Sequence, residues 1–165
     1  MAGLKVHTEP ASEPITLAEA KTYLRVDSSG DDALITSLII TARKLCEIHM
    51  QRAIMSQTLQ LFLDTLEDYE DPLWEGIRTA PDLNYYKNYI DLPFPNVTSV
   101  THVKTYDDDD TATTFASSKY YVDSSREPAR IVLRKGETFP TALRVANAIE
   151  VQYVTGYSSA NAVPE

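Results

Sequence analysis

Cys46 and His49, three positions apart on one helical stretch, offer the first chemistry: a nucleophile with its base, or two ligands of a metal. That spacing puts both side chains on one helix face. No third ligand is spaced nearby, and cysteine is among the residue types most often buried, so packing beside an apolar stripe outweighs a site. The run Asp107 to Asp110 offers the second, since carboxylates can hold a hard cation. Calcium loops, however, alternate their ligands around an obligatory glycine, which is missing here. A solvated hairpin tip is the better reading, because burying unpaired carboxylates costs several kcal/mol each. A tip bordering a DNA path would keep the duplex from sticking, which makes Asp107, Asp108, Asp109 and Asp110 candidate channel-lining residues. Tyr69, Trp74, Tyr85 and Tyr86 are candidates for contact with a protein partner; Lys87 is the one base beside the last two, too little positive charge for base stacking. No nucleophile elbow, Gly-Lys-Ser/Thr loop or His-Glu-x-x-His motif occurs, and five glycines leave no phosphate cradle. Catalytic residues, metal ligands and cofactor sites are therefore expected to be none, and the chain is not expected to be an enzyme.

The elements that carry these residues follow from periodicity. Pro10 and Pro14 hold residues 1–15 in an extended arm, with a short strand at Leu4 to His7. Thr16 and Glu19 form a capping box that starts a helix over Leu17 to Val26, with Leu17, Ala20 and Leu24 on one face. Ser29 and Asp32 form a second box, and a helix from Asp31 to His49 is predicted, with Leu34, Ile35, Leu38, Ala42, Leu45 and His49 as its buried stripe. The short turn between the helices makes them an antiparallel hairpin over residues 16–55. From Ser56 the period falls to two, and Leu59, Leu61 and Leu63 face one side of a strand. Further strands are predicted at Tyr89 to Leu92, Val100 to Tyr106, Lys119 to Asp123, Ala129 to Arg134 and Ala148 to Val154, with Asp107 to Thr113 as a hairpin tip. The fold class is α+β: an N-terminal antiparallel helix pair, then an antiparallel β domain over residues 56–157 with an acidic insertion at 67–88, and a tail at 158–165.

At 165 residues, 43% apolar and 24% charged, the chain is long and apolar enough to bury its own core, as one domain or two small ones. Its net charge of −9 opposes binding to DNA and to anionic membranes. That acidity is regional: between Asp64 and Asp110 twelve acids face three bases, a balance equal to that of the whole chain. Cys46, the single cysteine, excludes an intramolecular disulfide and fits a reducing cytoplasm. Met1 to Pro14 lacks the apolar run of a signal peptide or anchor, and no stretch approaches the ~18 apolar residues of a spanning helix, so a soluble protein without a membrane partner is expected.

The segment Ile15 to Asp27, followed by Asp31 to Arg43, resembles the opening helix pair of tailed-phage head-tail connector (adaptor) proteins. Gln57 to Leu61, Ile90 to Val97, Tyr121 to Asp123, Ala129 to Ile131 and Val151 to Tyr157 resemble, in order, the β part of the family's longer members, also found in gene transfer agents. The resemblance implies a structural adaptor that forms a homo-oligomeric ring, dodecameric in the well-described cases, below the portal protein of a filled capsid. It also implies a stopper or tail protein as the other neighbour, double-stranded DNA passing without sequence-specific binding, and a place in the virion neck after assembly in the host cytoplasm. Family members continue past the block Val163 to Glu165 into a further C-terminal helix, for which Pro164-Glu165 is a start signature and which this chain lacks. Another neck role, stopper or tail terminator, is a near alternative. An acidic DNA-mimic inhibitor is the alternative from a different class, motivated by the regional charge.

Overall fold

The computed structural model describes residues 2–64 and 89–163. In chain order the elements are β1 (Ala2–Thr8), α1 (Leu17–Leu24), α2 (Asp32–Met50), β2 (Gln57–Leu63), β3 (Tyr89–Leu92), β4 (Val97–Tyr106), β5 (Ala112–Thr114), β6 (Tyr120–Asp123), β7 (Ala129–Leu133) and β8 (Ile149–Thr155). The architecture is α+β, as the sequence predicts. Residues 2–8 form a longer strand than expected, and it closes one edge of the β domain by pairing with β2, Leu4 opposite Leu61 and Val6 opposite Leu59.

Alternation builds the sheets. The five-stranded sheet runs β1-β2-β8-β4-β5 and the three-stranded sheet β3-β7-β6, antiparallel throughout. Leu59 and Leu61 of β2, Val103 of β4, and Ile149, Val151 and Tyr153 of β8 share one core with Ile90, Leu92, Ile131 and Leu133 of the smaller sheet. Phe115, Tyr120 and Phe139 close one end, with the Phe115 and Phe139 rings stacked at 4.9 Å. Two polar groups that this burial takes from water are paired: the Tyr153 hydroxyl donates to Pro93 O at 2.6 Å and Thr155 Oγ1 to Phe94 O at 2.8 Å, whereas Asp91 Oδ1 of β3 is buried without a hydrogen bond among the described residues. Gly156 follows β8 at φ +101°, and a Cβ there would meet Met55 O at 2.3 Å, so only glycine lets the chain cross there.

The helix pair departs from expectation in two ways. Its first capping box forms, Glu19 N–H donating to Thr16 Oγ1 and Thr16 N–H to the Glu19 carboxylate. The second box, Ser29 with Asp32, does not form: the N-cap is Asp31, without a side-chain bond, and the Asp32 carboxylate is held by Lys21 of α1 at 2.6 Å. The predicted buried stripe is also displaced. Ile35 is buried, but Leu34, Leu38, Ala42, Leu45 and His49 are exposed, Leu38 at 55% and Leu45 at 67%. The buried positions below Ile35 are Arg43 and Glu47, on the opposite side of the helix from the leucines. The apolar residues do mark one face, as the spacing predicts; the described chain turns the other face inward.

Candidate functional site

What turns α2 round is charge. The Arg43 side chain is 2% exposed and donates to Glu9 at 3.2 Å, Glu13 at 2.8 Å and Glu47 at 2.8 Å. Glu47 also accepts from Ile54 N–H at 2.8 Å and Gln57 Nε2 at 3.1 Å, which ties the end of α2 to the start of β2. Lys44 pairs with Glu9 at 2.7 Å. Hydrogen bonds from Lys44 and then Arg43 outweigh the partial burial of the Glu9 carboxyl and hold its pKa below the usual range. The arm over residues 9–13 is thus strapped across one face of α2 by ions. Beyond the helices, Arg52 pairs with Glu127 and reaches the Tyr157 hydroxyl. A four-point cluster around a buried guanidinium fixes geometry more than it adds net stability, because desolvation of Arg43 and Glu47 offsets much of the attraction.

The opposite face of α2 is left bare. Leu34, Leu38, Thr41, Leu45 and Ile48 follow each other at alternating spacings of four and three, the pattern with which a helix meets another helix. The four large apolar side chains among them are all more than half exposed. Covering such a residue is worth ~1.5–3 kcal/mol each, so a free apolar seam marks a contact surface. Cys46 and His49 lie beside it, exposed, and Cys46 is not the buried packing residue its type predicts. Among the described residues no three His, Cys, Asp or Glu side chains gather as metal ligands would, and no helix is long and apolar enough to cross a membrane.

The acidic run forms the tip of the β4–β5 hairpin. Asp107 is consumed internally, its Oδ1 accepting from Asp109 N–H at 3.1 Å and Thr111 N–H at 2.8 Å. Asp110 is paired with Arg144 at 3.1 Å, and Arg144 lies over the Tyr106 ring at 3.9 Å. Asp108 and Asp109 project into solvent. Tyr69, Trp74, Tyr85 and Tyr86 lie outside the described residues, as do the whole acidic insertion at 67–88 and Pro164-Glu165.

A further polar cluster has no signature in the sequence. On the outer face of the larger sheet the Glu150 carboxylate, 7% exposed as a residue, accepts from the Tyr106 hydroxyl at 2.6 Å and Gln60 Nε2 at 3.1 Å and contacts His102 Nε2 at 2.9 Å. Burial pushes this carboxyl up, but the hydrogen bonds from Tyr106 and His102 outweigh it and its pKa lies below the usual value. Only strand pairing brings these residues together, with His102 opposite Gln152 and Gln60 likewise opposite Gln152. The cluster is a cross-strand brace, with every contact made within the sheet.

No protein-family profile matches the sequence, and no curated protein matches it. Solved structures do match in three dimensions. A chain from the neck of an empty gene transfer agent (GTA) particle, computed with C6 symmetry, superposes with a TM-score of 0.73 at 20% identity, over 98% of this chain and 75% of that one. A chain from the virion of the native GTA particle gives 0.67 at 19% identity, over 98% and 75%. One from the neck of the native particle, computed with C12 symmetry, gives 0.60 at 20% identity, over 97% and 74%. The chain has the fold of a GTA neck component. The likeness takes in the helix hairpin and both sheets together, since almost the whole chain superposes.

Proposed function

We propose that the chain is a structural head-tail connector, an adaptor subunit that forms a ring in the neck of a tailed phage or phage-like particle, below the portal and around the DNA channel. The observation that carries this reading is the superposition of 98% of the chain on a neck chain. Two features support it. The bare seam of α2 is a surface a solitary protein would have reason to hide. The neck structures of like fold were computed with C6 and C12 symmetry, and a cyclic ring would bring head-to-tail contacts between identical subunits and so two different contact faces on each. The role needs no catalysis. Asp108 and Asp109 are the carboxylates of the hairpin tip best placed to line a channel, where their repulsion would let duplex DNA pass without dwelling.

A DNA-mimic inhibitor would display its carboxylates as a surface. Here Glu9, Glu13, Asp32, Glu47, Asp110, Asp123 and Glu150 are engaged within the chain, which favours the structural reading.

Deleting the gene should give DNA-filled heads and free tails that fail to join, with joining restored by the wild-type chain. Normal particles without the protein would contradict the role.

A further inference from the structure

The two edges of the five-stranded sheet differ in a complementary way. At one edge every described side chain of β1 is exposed, among them Leu4 at 40% and Val6 at 43%, although both pair with buried leucines of β2 and so point to the core side of the sheet. The described chain leaves about two-fifths of each open to solvent. At the other edge β5 is exposed along its length, and on the core side of the sheet it borders an open groove of about 390 Å³ with Thr113, Phe115, Ala116, Phe139 and Pro140 in its lining. Two apolar side chains thus lack a pocket at one edge, and an apolar pocket lacks an occupant at the other, on the same side of one sheet. The charges agree: β1 carries Lys5 and no acid, while the hairpin that holds β5 presents Asp108 and Asp109 to solvent at its tip, and the groove's own cation, Lys119, is paired with Glu137.

We infer that β1 of one copy docks along β5 of the next, extending the sheet from subunit to subunit and seating Leu4 and Val6 in the groove beside Phe115 and Phe139. This inference rests on the ring reading above and names its contact. Strand addition satisfies the free backbone groups of both edges, and the two apolar side chains supply specificity. Because the donor and acceptor edges are different parts of one chain, the contact is heterologous and repeats, and sheet twist turns each copy relative to the last, as a closed ring requires.

The test uses two variants that damage opposite halves of the contact. Leu4→Ser with Val6→Ser spoils the donor; Ala116→Trp fills the acceptor groove. Unfolding midpoints near the wild-type value establish that each is folded. Sedimentation should show wild-type chain in large oligomers and each variant alone as monomer, with assembly weakened at least about tenfold. An equal mixture of the two should form a one-to-one heterodimer, since one intact donor and one intact acceptor remain. Should one variant fail to fold, the other alone must still lose assembly. Variants that assemble as wild type, or a mixture that stays monomeric, overturn this contact and leave the neck assignment untouched. A wild-type chain that stays monomeric at every concentration and on its own particles overturns the ring itself.

Discussion

The β domain encloses its apolar alternation between two sheets, so that Ile131, Val151 and Tyr153 are wholly buried, whereas α2 turns Leu34, Leu38, Leu45 and Ile48 to solvent and buries Arg43 and Glu47 instead. Both regions carry a clear hydrophobic period. The difference lies in where the complementary surface is found: for β8 it is another strand of the same chain, and for the α2 seam it is not among the described residues. Periodicity tells which residues want covering, and only the rest of the structure tells what covers them. One region is therefore a folded core, and the other an apolar face that the described residues leave exposed.

The comparison breaks most readily at Arg43. Arg43→Met leaves the buried Glu47 and the partly buried Glu13 without their cation and should lower stability by ~3–5 kcal/mol in chemical denaturation. A loss below ~1 kcal/mol would mean the strap does not hold α2 in its orientation. The direct contrast comes next: Ile131→Ala, in the core, should cost ~2–5 kcal/mol, while Leu38→Ala in the isolated chain should cost under ~1 kcal/mol. Equal costs for the two would show that the leucine seam is already covered. Gly156→Ala combines an unfavourable φ with a clash against Met55 O and should cost ~2–4 kcal/mol, read from the same denaturation curves.

The smallest effect is electrostatic. Because the Glu150 pKa in the folded chain lies below its ordinary 4.5, this carboxylate contributes stability above that pH and loses it as pH falls through the folded value. Glu150→Gln should therefore lower stability above pH ~5, converge on the wild-type curve at low pH and so flatten the acid limb. An acid limb as steep as wild type would assign the loss to other carboxylates, such as Glu9.

The sheets were legible in sequence because a period of two with apolar residues on one side admits few other readings: β3, β4, β6, β7 and β8 lie within a few residues of where alternation puts them. β5 was missed because Ala112-Thr-Thr has no apolar alternation, and only its pairing with Lys104 to Tyr106 makes it a strand. In the helix hairpin the Thr16 capping box is a local signal and was read correctly. The burial of Arg43 was not, since Arg43 and Glu47 four apart look like an ordinary surface pair. The signal that could have exposed it is the pair Glu9 and Glu13, in an arm that the prolines hold extended and close to α2. The groove beside β5 had no sequence signature, because Phe115 and Phe139 meet only through the fold.

The measurement that bears most directly on the neck assignment is a reconstruction of the neck of purified particles at a resolution that traces this chain. The account predicts a closed ring of this α+β fold between head and tail, with Leu34, Leu38, Leu45 and Ile48 covered by protein. Particles whose neck lacks the fold, or a ring in which those four side chains still face solvent, would contradict it.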